Sequence, residues 1–334
     1  MKIIIPMAGM GKRMRPHTLT TPKPLLSIAG KSIVERLIVD TSNMVNEKVE
    51  EVAFIIGNFG QEVEQQLCNI ALQLNITPKI YYQLEALGTA HAIYMAKESL
   101  SGNVLVAYAD TLFDTKFMID PNEDGYIWVK QIDNPSQFGV VIHDENEYIV
   151  RFAEKPKDFV SDLAIIGIYY FKNAEILKNE IEYLLDNNIT GNGEFQLTDA
   201  LENMMKKDVK MKIAKVDGWF DCGNFKATVV TNAEILKSGK FSKTNFSECR
   251  IVDSKIIEPC FIAKNVELIN SVIGPYVSVG EGSVIENSTV YNSIIYNNNH
   301  ILNAQVGNSM IGSYVKYFNN EGNEVSLGDF SEIL

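Results

Sequence analysis

Several stretches of this sequence combine glycine with charged residues at spacings that suit phosphate chemistry. The first is Pro6-Met7-Ala8-Gly9-Met10-Gly11-Lys12-Arg13-Met14-Arg15-Pro16, followed by Thr20-Thr21-Pro22-Lys23-Pro24-Leu25-Leu26. A glycine-bearing turn behind a buried strand lets the backbone around Ala8, Gly9 and Gly11 approach phosphate oxygens, and Arg13, Arg15 and Lys23 add charge-assisted donors. Two common phosphate templates do not fit. GxxxxGK[ST] fails because Pro6 holds the first glycine position and Arg13 follows Lys12, and GxGxxG fails because Met14 holds the third.

Further along, Gln83-Leu84-Glu85-Ala86-Leu87-Gly88-Thr89-Ala90 sets an amide ahead of a glycine that opens a helical pattern at Thr89. A glutamine both donates to and accepts from a base edge, and a glycine lets a flat ring lie on bare backbone. Asp110 follows the apolar run 104–108, and Asp221 stands in the aromatic, glycine-flanked stretch Trp219-Phe220-Asp221-Cys222-Gly223-Asn224. Two such carboxylates, if brought together, suit a hard cation such as magnesium, which keeps water ligands and bridges substrate phosphates. Taken singly, each Asp also fits a turn or helix cap. The stretches Phe138-Gly139-Val140-Val141, Glu154-Lys155-Pro156 and Ile165-Ile166-Gly167-Ile168-Tyr169 are candidates for a sugar phosphate. Glu154 offers a hydroxyl acceptor beside Lys155 as a phosphate donor.

These residues need a scaffold. Lys2 to Ile5, Val52 to Ile56 and Val104 to Tyr108 are short, continuous apolar runs of buried-strand type. Between them, Ser32 to Val45 and Gln61 to Leu74 carry apolar residues near helical spacing. Strands alternating with helices predict an α/β fold with a mostly parallel, doubly wound, Rossmann-like sheet, whose ligands settle beyond the carboxyl ends of the strands. Around Ser238 to Ser242 the composition changes and asparagine becomes frequent. There a six-residue repeat sets in. Ile273, Val279, Ile285 and Tyr291 share one register, Val277, Ser283, Thr289, Ile295 and Ile301 another, and Ile256, Ile262 and Leu268 an earlier one. Period six predicts a triangular solenoid of three hexads per turn. The expected domains are 1–240 and 245–334.

A net charge of -12 over 334 residues argues against nucleic acid or an anionic membrane as partner. Cys68, Cys222, Cys249 and Cys260 show no CxxC spacing, so neither a zinc site nor a disulfide framework is expected. No signal-peptide core follows the N-terminus, and no stretch reaches the roughly 18 apolar residues of a spanning helix. A cytoplasmic location is the expectation.

Residues 6 to 26 resemble the signature loop of the sugar-phosphate nucleotidylyltransferases, G-x-G-T-R-x-x-P-x-T-x-x-x-P-K-P-L, with Lys12 in place of the threonine, and the resemblance runs to about residue 236. It implies that Arg13 and Lys23 are the basic catalytic residues, with Ala8, Gly9 and Gly11 on the triphosphate and Gln83, Gly88 and Thr89 on the nucleobase. It further implies that Asp110 and Asp221 hold Mg2+, Asp110 being catalytic as well. Glu154 would grip the sugar hydroxyls and Lys155 the sugar phosphate, with Gly139 and Ile165 beside them. Asn224 and Ile166 replace residues common in the family. The tail resembles the left-handed β-helix of hexapeptide-repeat proteins.

The reaction expected from this resemblance joins a nucleoside triphosphate to a hexose 1-phosphate and releases pyrophosphate, dTTP or UTP and glucose 1-phosphate being favoured. No Ser-His-Asp or Cys-His set is visible, and none is needed, because a sugar 1-phosphate is already an anion that can attack the α-phosphorus. Competing readings are a mannose-1-phosphate guanylyltransferase, a non-catalytic nucleotide-sugar-binding regulatory subunit, and added acyl transfer with His300 as base. The bland role of the repeat domain is regulation or homo-oligomerisation through its stacked faces.

Overall fold

The computed structural model describes residues 1–241 and 244–334, so Ser242, at the end of the stretch where the composition changes, lies outside the described residues. The chain forms two compact units, Met1–Gly9 with Glu35–Trp219, and Met10–Val34 with Phe220–Leu334.

In the first unit, β1 (Lys2–Pro6), β2 (Glu51–Ile56), β3 (Thr77–Tyr82) and β4 (Val104–Ala107) form a parallel half-sheet. Ile3, Ile4 and Ile5 are fully buried. Their strand lies between β2 and β4 and is covered on both faces, which is why it reads as an unbroken apolar run. The sheet continues through β5 (Gly125–Gln131), β6 (Gly139–His143), β7 (Ile149–Glu154), β8 (Leu163–Phe171) and β9 (Met211–Lys215). The nine strands run β7-β6-β8-β4-β1-β2-β3, with β5 joining β8 to β9. β8 is antiparallel to β4, β5 and β6, so the sheet is Rossmann-like and parallel on the β1 side and mixed on the other. Its pairing with β5 slips between Ile165 and Tyr169. Gly167 sits in that slip at φ +83°, and a Cβ there would come within 3.0 Å of Tyr108.

The expected helices appear at Ile33–Ser42 and Gln61–Gln73. The first stops short of Val45. Thr41 and Ser42 turn their hydroxyls back onto the carbonyls of Leu37 and Ile38, each at 2.6 Å. No helix among the described residues is long and apolar enough to cross a membrane.

From Arg250 onward the second unit is a β-helix of the left-handed hexapeptide type, with one six-stranded and two five-stranded parallel sheets. Leu268 stacks on Ile285, Ile285 on Ile301 and Ile301 on Tyr317. A coil therefore takes 17 residues (268 to 285) or 16 (285 to 301), not the eighteen of three full hexads. The inward column runs Ile262, Leu268, Ile273, Val279, Ile285, Val290, Ile295, Ile301, Val306 and Ile311. Val290 is the buried member where the repeat pattern pointed to Thr289 and Tyr291, of which Thr289 is exposed and Tyr291 half-buried.

The shortening has a local cause. Asn287, Asn292, Asn303 and Asn308 occupy corners with φ between 48° and 50° or, for Asn292, 40°. Asparagine tolerates this left-handed region, and it allows a tighter corner. The same side chains form ladders, Asn292 donating to Asn308 at 2.6 Å and Asn308 to Asn323 at 2.7 Å. Serines beside the corners accept backbone N–H groups from the next coil, as Ser309 Oγ does from Val325 at 2.9 Å. Asn308→Ala removes two ladder bonds and leaves a Cβ residue at φ 50°. It is expected to cost about 2 kcal/mol, measurable by denaturant unfolding.

Candidate functional site

In the first unit the loop after β3 carries Gln83, whose amide donates to His91 Nδ1 at 3.2 Å and lies 3.4 Å from Gly88 O. Burial lowers the His91 pKa, against an opposing pull from Glu85, which favours the neutral ring that can accept this bond. Gly88 has φ +119°, and a Cβ there would sit 2.4 Å from Phe195 O and 2.6 Å from Phe195 N. The glycine is thus required by the protein itself. Its segment pairs with the stretch before the helix Leu197–Lys206, through Phe195 N to Leu87 O at 2.8 Å and Ala90 N to Phe195 O at 2.9 Å. Thr89 Oγ1 accepts the Leu197 N–H at 2.9 Å.

A second group gathers at the ends of β4, β6, β7 and β8. Glu154 is paired with Gly139 in the β7–β6 register. A Cβ on Gly139 would lie 2.9 Å from Glu154 Oε2 and 3.4 Å from Ile165 Cδ1, so these three predicted residues meet. Burial pushes the Glu154 carboxyl up, Lys155 pulls it down and Asp199 pushes it up again. Lys155 Nζ lies 3.9 Å from Glu154 Oε1. The Lys155 backbone is held at φ 41°, with its N–H on Phe138 O at 3.2 Å. A non-glycine residue in that region stores about 1 kcal/mol or more, a cost met most often where a side chain must be aimed.

Tyr108 opens the loop that carries Asp110, and its hydroxyl is buried. Burial raises its pKa well above the usual phenol range, nearby Thr89 opposes this, and the charges of Asp110 and Glu154 raise it further. Asp110, Glu154 and Thr89 therefore share one electrostatic neighbourhood around this phenol. The sequence reading singled out neither Tyr108 nor Asp199. Asp199, whose own carboxyl is raised first by burial and then by Glu202, lies in the first turn of the helix Leu197–Lys206.

In the second unit the bend is built around Gly11, at φ 58°. Thr18 Oγ1 donates to Gly11 O at 2.9 Å. A Cβ on Gly11 would approach Thr18 Cγ2 to 3.1 Å and Lys23 Cβ to 3.2 Å, so the glycine lets Lys23 fold over the bend. Arg13 and Lys23 each lie on a short 3-10 turn, Lys12–Met14 and Lys23–Leu25. Asp221 Oδ1 accepts the Gly223 N–H at 2.7 Å. A Cβ on Gly223 would sit 2.8 Å from Asp221 Oδ1 and 3.4 Å from Arg13 Nη2. Arg13 and Asp221, two hundred positions apart, thus share one turn. Ala8 and Gly9 lie in the loop after β1, in the first unit, and a Cβ on Gly9 would meet no described atom within 4 Å, so packing does not explain that glycine. His300 lies on the six-stranded face, 3.3 Å from Glu286 Oε1 and edge-on to Phe318. Cys222 and Cys260 are buried, and none of the four cysteines is disulfide-bonded.

The chain belongs to the nucleotidyl transferase family, whose model it matches over residues 2–238. It is 33% identical over 243 residues to the bifunctional protein GlmU of Methanococcus aeolicus, covering 72% of this chain and 56% of that protein. It is 26% identical to a glucose-1-phosphate thymidylyltransferase of Streptomyces antibioticus, covering 84% and 83%. The chain spans about half the length of the GlmU proteins it matches. Its fold is similar to that of UDP-glucose pyrophosphorylase solved with UDP-glucose, with a TM-score of 0.57 and 22% identity over 71% of this chain and 98% of that one.

Proposed function

We propose that this protein couples a nucleoside triphosphate to a hexose 1-phosphate with release of pyrophosphate, dTTP or UTP and glucose 1-phosphate being the favoured pair. The observation that carries this reading is the convergence of Gly11, Lys23 and Arg13 with the Asp221 turn, from opposite ends of the family region. Arg13 and Lys23 spread positive charge over the triphosphate and over the leaving pyrophosphate, where phosphoryl transfer is governed by positioning and charge neutralisation. Gln83, Gly88 and Thr89 hold the base. Glu154 accepts from sugar hydroxyls, and Lys155 aims the sugar phosphate in line with the α-phosphorus. Asp110 and Asp221 are the carboxylates this reading assigns to a hard divalent cation, Mg2+, which when bound would supply charge neutralisation and phosphate orientation. Residues 1–240 form the catalytic part of this scheme, and 245–334 a supporting part suited to homo-oligomer formation.

The test is pyrophosphate release from ATP, CTP, GTP, UTP and dTTP, each with glucose, galactose, mannose or N-acetylglucosamine 1-phosphate. Highest turnover is expected with glucose 1-phosphate and UTP or dTTP. A preference for GTP with mannose 1-phosphate would replace that pair, and no turnover by any pair would overturn the proposal. Within the preferred pair, Glu154→Gln is expected to raise KM for the sugar 1-phosphate about tenfold, since a charged acceptor is lost, with KM for the triphosphate little changed. Initial-rate kinetics in both substrates check this.

A further inference from the structure

The bend that carries Arg13 and Lys23 belongs to the same compact unit as the β-helix, and the contacts are specific. His17, 1% exposed, has Nε2 3.0 Å from Ser326 Oγ and its ring edge-on to Tyr296, centroids 6.4 Å apart. Thr20 Oγ1 donates to Asp329 Oδ2 at 2.6 Å. A Cβ on Gly328 would lie 2.9 Å from Pro16 Cβ, so the last coil runs flush beneath Pro16. Residues 29–30 are fastened elsewhere. Ala29 N–H donates to Asn232 Oδ1 at 3.1 Å, Ser278 Oγ donates to the same oxygen at 2.6 Å, and a Cβ on Gly30 would strike the Phe261 ring. The segment around Lys23 is thereby held on one side by the final coils and on the other by the early ones.

A glycine-bearing loop that orders only when its ligand arrives loses part of its binding free energy to the conformational entropy of each residue fixed. Fixing it beforehand removes that loss and holds the charges where the transition state needs them. We propose that Ser326 and Asp329, in the last coil of the β-helix, are positioning residues for the triphosphate-binding bend, acting through His17 and Thr20. The inference rests on reading residues 6–26 as the triphosphate cradle. It gives the repeat domain a part in the reaction that needs neither a second active site nor a second subunit.

The experiment uses the full chain with Mg2+ and the substrate pair that the release panel prefers. Thr20→Val and Ser326→Val remove the two hydroxyls, Thr20→Ser and Ser326→Thr keep them, and Lys316→Ala changes an exposed ion pair with Glu332 on the same coils. Both valine variants are expected to raise KM for the triphosphate about tenfold, with KM for the sugar 1-phosphate moving less than about twofold. The hydroxyl-keeping variants should restore the wild-type value, and Lys316→Ala should match wild type throughout. Thr20 is exposed, so Thr20→Val decides the matter alone should Ser326→Val not fold. Unchanged triphosphate KM, or an equal rise in both KM values, in an active enzyme overturns the positioning role. A wild-type chain that neither binds a triphosphate nor releases pyrophosphate overturns the cradle reading itself, and this inference with it.

Discussion

Asp110→Asn is expected to lower magnesium-dependent pyrophosphate release about a thousandfold while leaving the fold intact. The substitution keeps the size of the side chain, removes its charge and replaces one acceptor oxygen by an NH2 donor. Asp110 lies in the loop after β4, and its charge is felt by the buried Tyr108 phenol, which also faces Thr89 and Glu154. In the proposed scheme an anion at that point would serve a bound divalent cation, whose removal from a phosphoryl-transfer site forfeits charge stabilisation worth several kcal/mol. A thousandfold corresponds to about 4 kcal/mol of transition-state stabilisation. Single-turnover measurements across a magnesium titration check the assignment. An active Asp110→Asn enzyme, within about tenfold of wild type at every magnesium concentration, would remove this carboxylate from the mechanism. Unchanged far-UV circular dichroism and Tm would show that the loss is chemical.

What the sequence makes legible follows from whether the physics is local or long-range. Buried parallel strands announce themselves, because Ile3-Ile4-Ile5, Val52 to Ile56 and Val104-Leu105-Val106 are continuous apolar runs buried on both faces. The six-residue period is likewise a local signal. Its true spacing was not legible, because the left-handed corners at Asn287 and Asn292 shorten the coil and move the inward position from Tyr291 to Val290. Periodicity alone does not reveal which asparagine sits at a corner and which on a face. The meeting of Gly139, Glu154 and Ile165 depends on β6, β7 and β8 being neighbours, an antiparallel arrangement that a pattern of alternating strands and helices does not encode. Gly88 illustrates a glycine whose type was legible and whose reason was not, since it faces the Phe195 backbone more than a hundred residues away. The grouping of residues 10–34 with the β-helix is of the same kind. Nothing about His17 in the sequence marks it as the buried member of that contact.

His17 gives this hidden contact a pH signature. Burial lowers its pKa from 6.5 to about 4, and Asp329 only partly opposes the shift. The other groups around it are the Ser326 hydroxyl and the buried Tyr296 phenol, itself pushed upward first by burial and then by Cys222 and Asp329. The imidazole is therefore neutral in the folded chain and takes up a proton more readily once unfolded. Because the folded pKa is the depressed one, the associated stability is fully present above pH 6.5 and is lost as pH falls from 6.5 to about 4. At 1.36 kcal/mol per unit the loss amounts to about 3 kcal/mol, with no further contribution from this residue below the folded value. His17→Asn removes the titrating group, so the difference in unfolding free energy between wild type and variant should shrink by about that amount across the interval, whatever the carboxylates contribute to both. Urea unfolding followed at several pH values measures it. If the contact also holds the triphosphate bend in shape, KM for the triphosphate should begin to rise in wild type over the same acid range while the fold still stands. A pH-independent difference between the two proteins would show that His17 does not titrate in this interval, and that its contact with the last coil is not the acid-sensitive element of the unit.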